Sequence, residues 1–119
     1  MTPPRLVLLA VSDLFFVARI RTAAAHLGVE TEAVEPARLA ARCREGAPGL
    51  VLVDLHAAGA LEGVRAMRLD PALAGVRVVG FYSHVDDATR RAASEAGVDE
   101  ALPRSAFTVR LAELLEGSA

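Results

Sequence analysis

The chain has 119 residues and a mass of 12.5 kDa, enough for one domain over 1–119 and too little for two of ordinary size. With 53% hydrophobic and 24% charged residues it can bury a substantial core, and its single cysteine, Cys43, excludes an internal disulfide or a multi-cysteine metal site. A net charge of -2 gives no basic field for a phosphate backbone, and all 13 basic residues are arginine, so lysine Schiff-base chemistry and a P-loop lysine are ruled out.

The first element is an apolar strand over 5–11, Leu6 to Val11. Helical spacing of Phe16, Ile20, Ala23, Ala24 and Leu27 predicts a helix over 13–27, stopped by Gly28. Residues 30–34 mix acids with apolar side chains, as an edge strand does. A helix over 36–45 starts at Pro36 and stops at Gly46, with Leu39 and Cys43 on its apolar face, where Cys43 reads as a small core residue. The run Leu50-Val51-Leu52-Val53 makes a strand over 50–54, followed by a helix over 60–69 that ends before Pro71. A third apolar strand covers 76–81, a helix 85–96 closes at Gly97, a short strand takes 99–103, and a helix over 105–116 buries Phe107, Leu111, Leu114 and Leu115.

Five strands alternating with five helices imply right-handed crossovers and a doubly wound parallel α/β sheet. Runs that are apolar throughout belong in the middle, covered on both faces, so the polar second strand and the short fifth belong at the edges. The expected order is 2-1-3-4-5, a flavodoxin-like (βα)5 arrangement whose switch point lies between the first and third strands at their carboxyl ends. No apolar run approaches the ~20 residues of a membrane span, and no signal-peptide pattern opens the chain. The expected location is cytoplasmic.

At the switch point stand Ser12 and Asp13 after the first strand and Asp54 ending the third. Asp13 suits the N-cap of the first helix, a role compatible with a site role. Asp54 closes an apolar run and should be partly desolvated, a placement that needs a reason. The two aspartates should face each other across the crevice. His56 and His84 could join them around a transition metal, but lack ligand spacing and read better as surface residues. His26 suits a helix C-terminus, and Asp86-Asp87 a helix N-terminus. Ser12-Asp13-Leu14-Phe15-Phe16 replaces the glycine-rich loop a nucleotide or flavin would need.

Val11-Ser12-Asp13, Leu50-Val51-Leu52-Val53-Asp54, a hydroxyl residue after the fourth strand, Ala96-Gly97-Val98 and Leu102-Pro103-Arg104-Ser105 together resemble response-regulator receiver domains, over nearly the whole chain. The resemblance implies a phospho-acceptor at Asp54. It also implies Mg²⁺ held by Asp54, by an acidic pair that falls on Ser12 and Asp13, and by the backbone carbonyl of His56. One acid of the pair is thus a serine, which should leave Mg²⁺ binding weak, because a hard cation depends on carboxylate charge. The hydroxyl that bonds the phosphoryl group falls on Tyr82 by counting back from Gly97, with Ser83 one residue on; Ser83-x-x-Asp86 also suits a helix start. The family lysine falls on Arg104, and the β5 aromatic on Ala101.

Arginine is bulkier than lysine and pairs through a planar fork, so Arg104 is expected over Asp54 as a fixed contact, with a solvated position at the rim as the alternative. The resemblance then implies a stand-alone atypical receiver, a pseudo-receiver acting as a protein-interaction module in bacterial signal transduction rather than as an enzyme. Its partner would be a histidine kinase or a downstream effector, with no direct nucleic acid or membrane contact, and the chain a monomer or weak homodimer. The alternative is a phospho-accepting receiver that uses Asp54 with a degenerate Mg²⁺ pocket. A small-ligand binder on the same fold is a third possibility, since fold alone does not supply function.

Overall fold

The computed structural model describes residues 6–83 and 87–117. Five strands form one sheet: β1 (Leu6–Ala10), β2 (Glu30–Ala33), β3 (Leu50–Asp54), β4 (Arg77–Tyr82) and β5 (Glu100–Pro103), all parallel, in the order β2-β1-β3-β4-β5. The helices are α1 (Leu14–His26), α2 (Leu39–Glu45), α3 (Ala60–Arg68), α4 (Asp87–Ala96) and α5 (Arg104–Gly117). The expected order therefore holds, with the polar β2 at one edge and β5 at the other. No helix among the described residues is long and apolar enough to cross a membrane.

Local differences follow from proline. Pro36 and Pro71 each open a short 3₁₀ turn, Pro36–Arg38 ahead of α2 and Pro71–Leu73 ahead of β4, because a fixed φ and a missing N–H suit a first turn. Pro103 ends β5 and Arg104 begins α5 directly after it, one residue earlier than expected.

The pleat sends alternate side chains to opposite faces. Val7, Leu9, Leu50, Leu52, Val79 and Phe81 pack with α1 and α5, whereas Leu8, Val51, Val53, Val78 and Tyr82 pack under α2, α3 and α4. Cys43 is buried in the second cluster, as expected, and burial pushes its thiol pKa up. Gly80 has no side chain because Leu55 fills that space: a Cβ there would stand 2.5 Å from a Leu55 methyl. At the far end of α1, Leu27 and Gly28 close the helix, with Gly28 at φ +70°, a conformation glycine reaches without a Cβ clash.

Candidate functional site

The carboxyl ends of β1 and β3 lie side by side, with Ala10 and Val53 as register partners, so Ser12, Asp13 and Asp54 reach the same end of the sheet. Asp13 leaves the strand in an extended conformation and caps α1: its Oδ1 accepts the N–H of Phe15 at 3.0 Å and of Phe16 at 3.2 Å. Its Oδ2 accepts from Nη2 of Arg104 at 2.8 Å. The Phe16 amide, then the Arg104 hydrogen bond, hold the Asp13 carboxyl below the usual carboxylate range. Both oxygens of the Asp13 carboxylate are thus engaged.

Arg104 is held from a second side. Its guanidinium carbon lies 4.3 Å from the centroid of the Phe16 ring and 5.7 Å from that of Phe81. Phe16, Phe81 and Phe107 form a tilted trio with centroids 4.8 to 5.7 Å apart, contributed by α1, β4 and α5. The face of such a ring attracts a cation, by about 0.5–1 kcal/mol at an exposed site. This corrects the expectation that Arg104 covers Asp54. Starting α5 directly after Pro103 sets Arg104 beside the first turn of α1, where an aromatic face and the spare lone pair of the N-cap stand together. The sequence signal for Phe16 was its place three residues after Asp13, but periodicity marked it only as buried.

Asp54 is half-buried and differently placed. Its Oδ1 accepts the His56 N–H at 2.9 Å and its carbonyl accepts the Ala57 N–H at 3.0 Å, a turn that fixes the start of the β3–α3 loop. Among the described residues no cation pairs with its carboxylate. Asp13 and Asp54 share one end of the sheet, and Asp13 is turned to the first turn of α1 and to Arg104.

The other expected residues divide. His56 is exposed, and so is Ser12, whose hydroxyl makes no hydrogen bond among the described residues. Tyr82 is 4% exposed and packs in the cluster under α2, α3 and α4. Asp54 follows Val53, which faces that cluster, so by alternation it lies on the opposite face of the sheet, as does its register partner Phe81. Counting back from Gly97 therefore chose the wrong face: Ser83, exposed and two residues past Phe81, has the parity of Asp54. The Ser83-x-x-Asp86 cap and the metal-ligand alternative for His84 rest on Asp86 and His84, which lie outside the described residues. Ala101 is half-buried and leaves the β5 aromatic position small.

Among the described residues no three His, Cys, Asp or Glu side chains stand close enough to hold a metal ion. Asp13, Asp54 and the His56 carbonyl, the donors the resemblance implies, are all oxygen and match a hard cation in kind.

The sequence matches no protein-family model and no curated protein. Solved structures do match the fold. The chain is similar to a response regulator of Hahella chejuensis, with 18% identity and a TM-score of 0.83 over 96% of this chain and 94% of that one. It is similar to the chemotaxis response regulator CheY4 of Vibrio cholerae, at 13% identity and a TM-score of 0.80 over 99% and 100%. It is also similar to the Mn²⁺-bound form of response regulator Rcp1, at 17% identity and a TM-score of 0.73 over 96% and 91%. The fold is that of response-regulator receiver domains.

Proposed function

We propose that the chain is an atypical receiver, a pseudo-receiver of bacterial signal transduction that acts by binding a protein partner, a histidine kinase or downstream effector, and not by catalysis. The observation that carries this is the Arg104–Asp13 pair at 2.8 Å on the Phe16 ring, in a chain without lysine. A phosphoryl group on Asp54 would meet no lysine ammonium, and the Arg104 guanidinium already has an anion and an aromatic face. A switch needs two states that a ligand distinguishes, and a contact satisfied from two sides favours one state.

Asp13, Asp54 and the His56 carbonyl would hold Mg²⁺, weakly, because Ser12 removes a carboxylate and Arg104 already pairs with Asp13. A bound divalent cation would offset the negative charge of an incoming phosphoryl group. The chain's own residues contribute the half-buried Asp54 carboxylate, oriented by the His56 amide.

The second reading, a phospho-accepting receiver, draws on one observation: Asp54 Oδ2 has no partner among the described residues, so a nucleophilic oxygen remains. Beryllofluoride with Mg²⁺, followed by ¹⁵N NMR, separates the two. The pseudo-receiver reading expects shifts confined to the residues around Asp54, and partner binding in cells that survives Asp54→Asn. Shifts that spread through α4 and β5, or loss of partner binding in a folded Asp54→Asn variant, would favour the phospho-switch.

A further inference from the structure

A cleft of about 400 Å³ opens beside the acidic crevice, at the carboxyl ends of β1 and β2 and against the loop that follows β3. In open α/β sheets this edge is where ligands bind, and small-molecule sites of a few hundred Å³ combine apolar walls with a few polar groups. Its walls include Ala10, Ala57 and Ala58, whose side chains stop at Cβ, so the space is left by residue size. Two polar residues line it, Ser12 and Glu35, both exposed, and neither side chain has a hydrogen-bond or ion-pair partner among the described residues. Arg38 lines the adjoining groove with Glu35 but forms no ion pair with it, whereas Glu32 there is neutralised by Arg42 at 2.6 Å.

The cleft is also pre-formed. Gly63 of α3 lies so close to the Pro36 carbonyl that a Cβ would collide with it, so the turn that follows Glu35 is braced against a helix. A wall fixed in this way loses little freedom when a ligand enters.

We infer that this cleft binds a small primary ammonium ligand, with its short apolar chain against the alanines and the ammonium donating to the Glu35 carboxylate and the Ser12 hydroxyl. Asp54, with one oxygen free at the same end of the sheet, adds negative potential; Asp13 adds little because Arg104 neutralises it. The inference stands independently of the signalling function, since it uses neither Arg104 nor phosphorylation.

The test is a titration of the full chain with n-butylammonium, n-butanol and butyrate, followed by ¹⁵N and methyl NMR. Saturable shifts centred on Ser12, Ala33, Ala57 and Ala58 are expected, with butylammonium bound about tenfold more tightly than butyrate, the factor that one charge-assisted hydrogen bond of about 1.4 kcal/mol supplies. Ala58→Leu and Ser12→Leu, both at exposed positions in different loops, should fill the cleft and abolish the shifts while leaving the rest of the spectrum in place. Glu35→Gln should remove most of the preference for the cation. The absence of saturable shifts, an equal response to butyrate, or shifts that persist in both leucine variants would overturn the inference.

Discussion

Each end of the sheet is organised by an arginine, and the two are built differently. At the amino-terminal end the Arg68 guanidinium donates to the carbonyls of Gly97 at 2.9 Å, Leu73 at 3.1 Å and Val76 at 2.8 Å, and to Asp99 Oδ2 at 2.9 Å, with its side chain 18% exposed. At the carboxyl end the Arg104 guanidinium makes one hydrogen bond among the described residues, to Asp13, with its side chain 37% exposed. Arg68 gathers the ends of α3 and α4 and the approaches to β4 and β5, so most of what it holds is backbone. Arg104 holds a single carboxylate that water or another cation could serve as well. The first arrangement is a rivet, the second a latch, and a latch belongs at the end where ligands arrive.

Removing the rivet should have the largest effect. Arg68→Ala leaves partly buried carbonyls unsatisfied and is expected to cost about 3 kcal/mol in urea denaturation, with Arg68→Lys restoring only part, because an ammonium lacks the planar fork. A loss below about 1 kcal/mol, no more than a surface substitution with modest contacts, would break the contrast.

Removing the latch should be mild. Arg104→Ala gives up a half-exposed ion pair and a cation–π contact, so a loss of about 1 kcal/mol or less is expected in the same assay. The same variant should bind Mg²⁺ more tightly than the parent by calorimetry, since Asp13 Oδ2 is freed. Weaker binding would mean that Arg104 supports the cation site instead of competing with it.

The latch also predicts an acid response. Hydrogen bonds lower the folded-state pKa of Asp13, so its contribution is present above the unfolded carboxylate value and is lost as pH falls through the lowered folded value. Asp13→Asn keeps the N-cap, since asparagine caps as well, but cannot gain or lose a proton. Its stability should therefore fall less steeply than the parent's as pH drops below about 4, the ordinary aspartate range. Parallel curves would show that the Arg104 contact contributes nothing.

The smallest effect concerns charge count. Ser12→Asp adds a carboxylate and should raise Mg²⁺ affinity several-fold. If calorimetry shows no gain, the missing acid is not what limits the site.

Strand order was legible because it depends on how many faces of a strand are covered. Leu50 to Val53 and Leu6 to Ala10 are apolar on both sides, while Glu30 and Glu32 cannot be, and that settles which strands are central. The Asp13 cap was legible for a similar reason, being a contact between neighbours in sequence. The face of Tyr82 was not, because it turns on a single residue of register: a count of residues to Gly97 does not see that β4 pairs Phe81 with Asp54.

The sequence by itself determined the five-stranded doubly wound sheet and the placing of Ser12, Asp13 and Asp54 at one end of it, because each follows from periodicity within a segment; that this end is short of a lysine and an acid is what the resemblance to receiver domains implies. Only the tertiary structure decided the partner of Arg104. That choice joins residues 91 positions apart, and it was made by how α5 packs beside α1. With both aspartates at the same end of the sheet, charge alone does not distinguish them; the guanidinium lies on the Phe16 ring and pairs with Asp13.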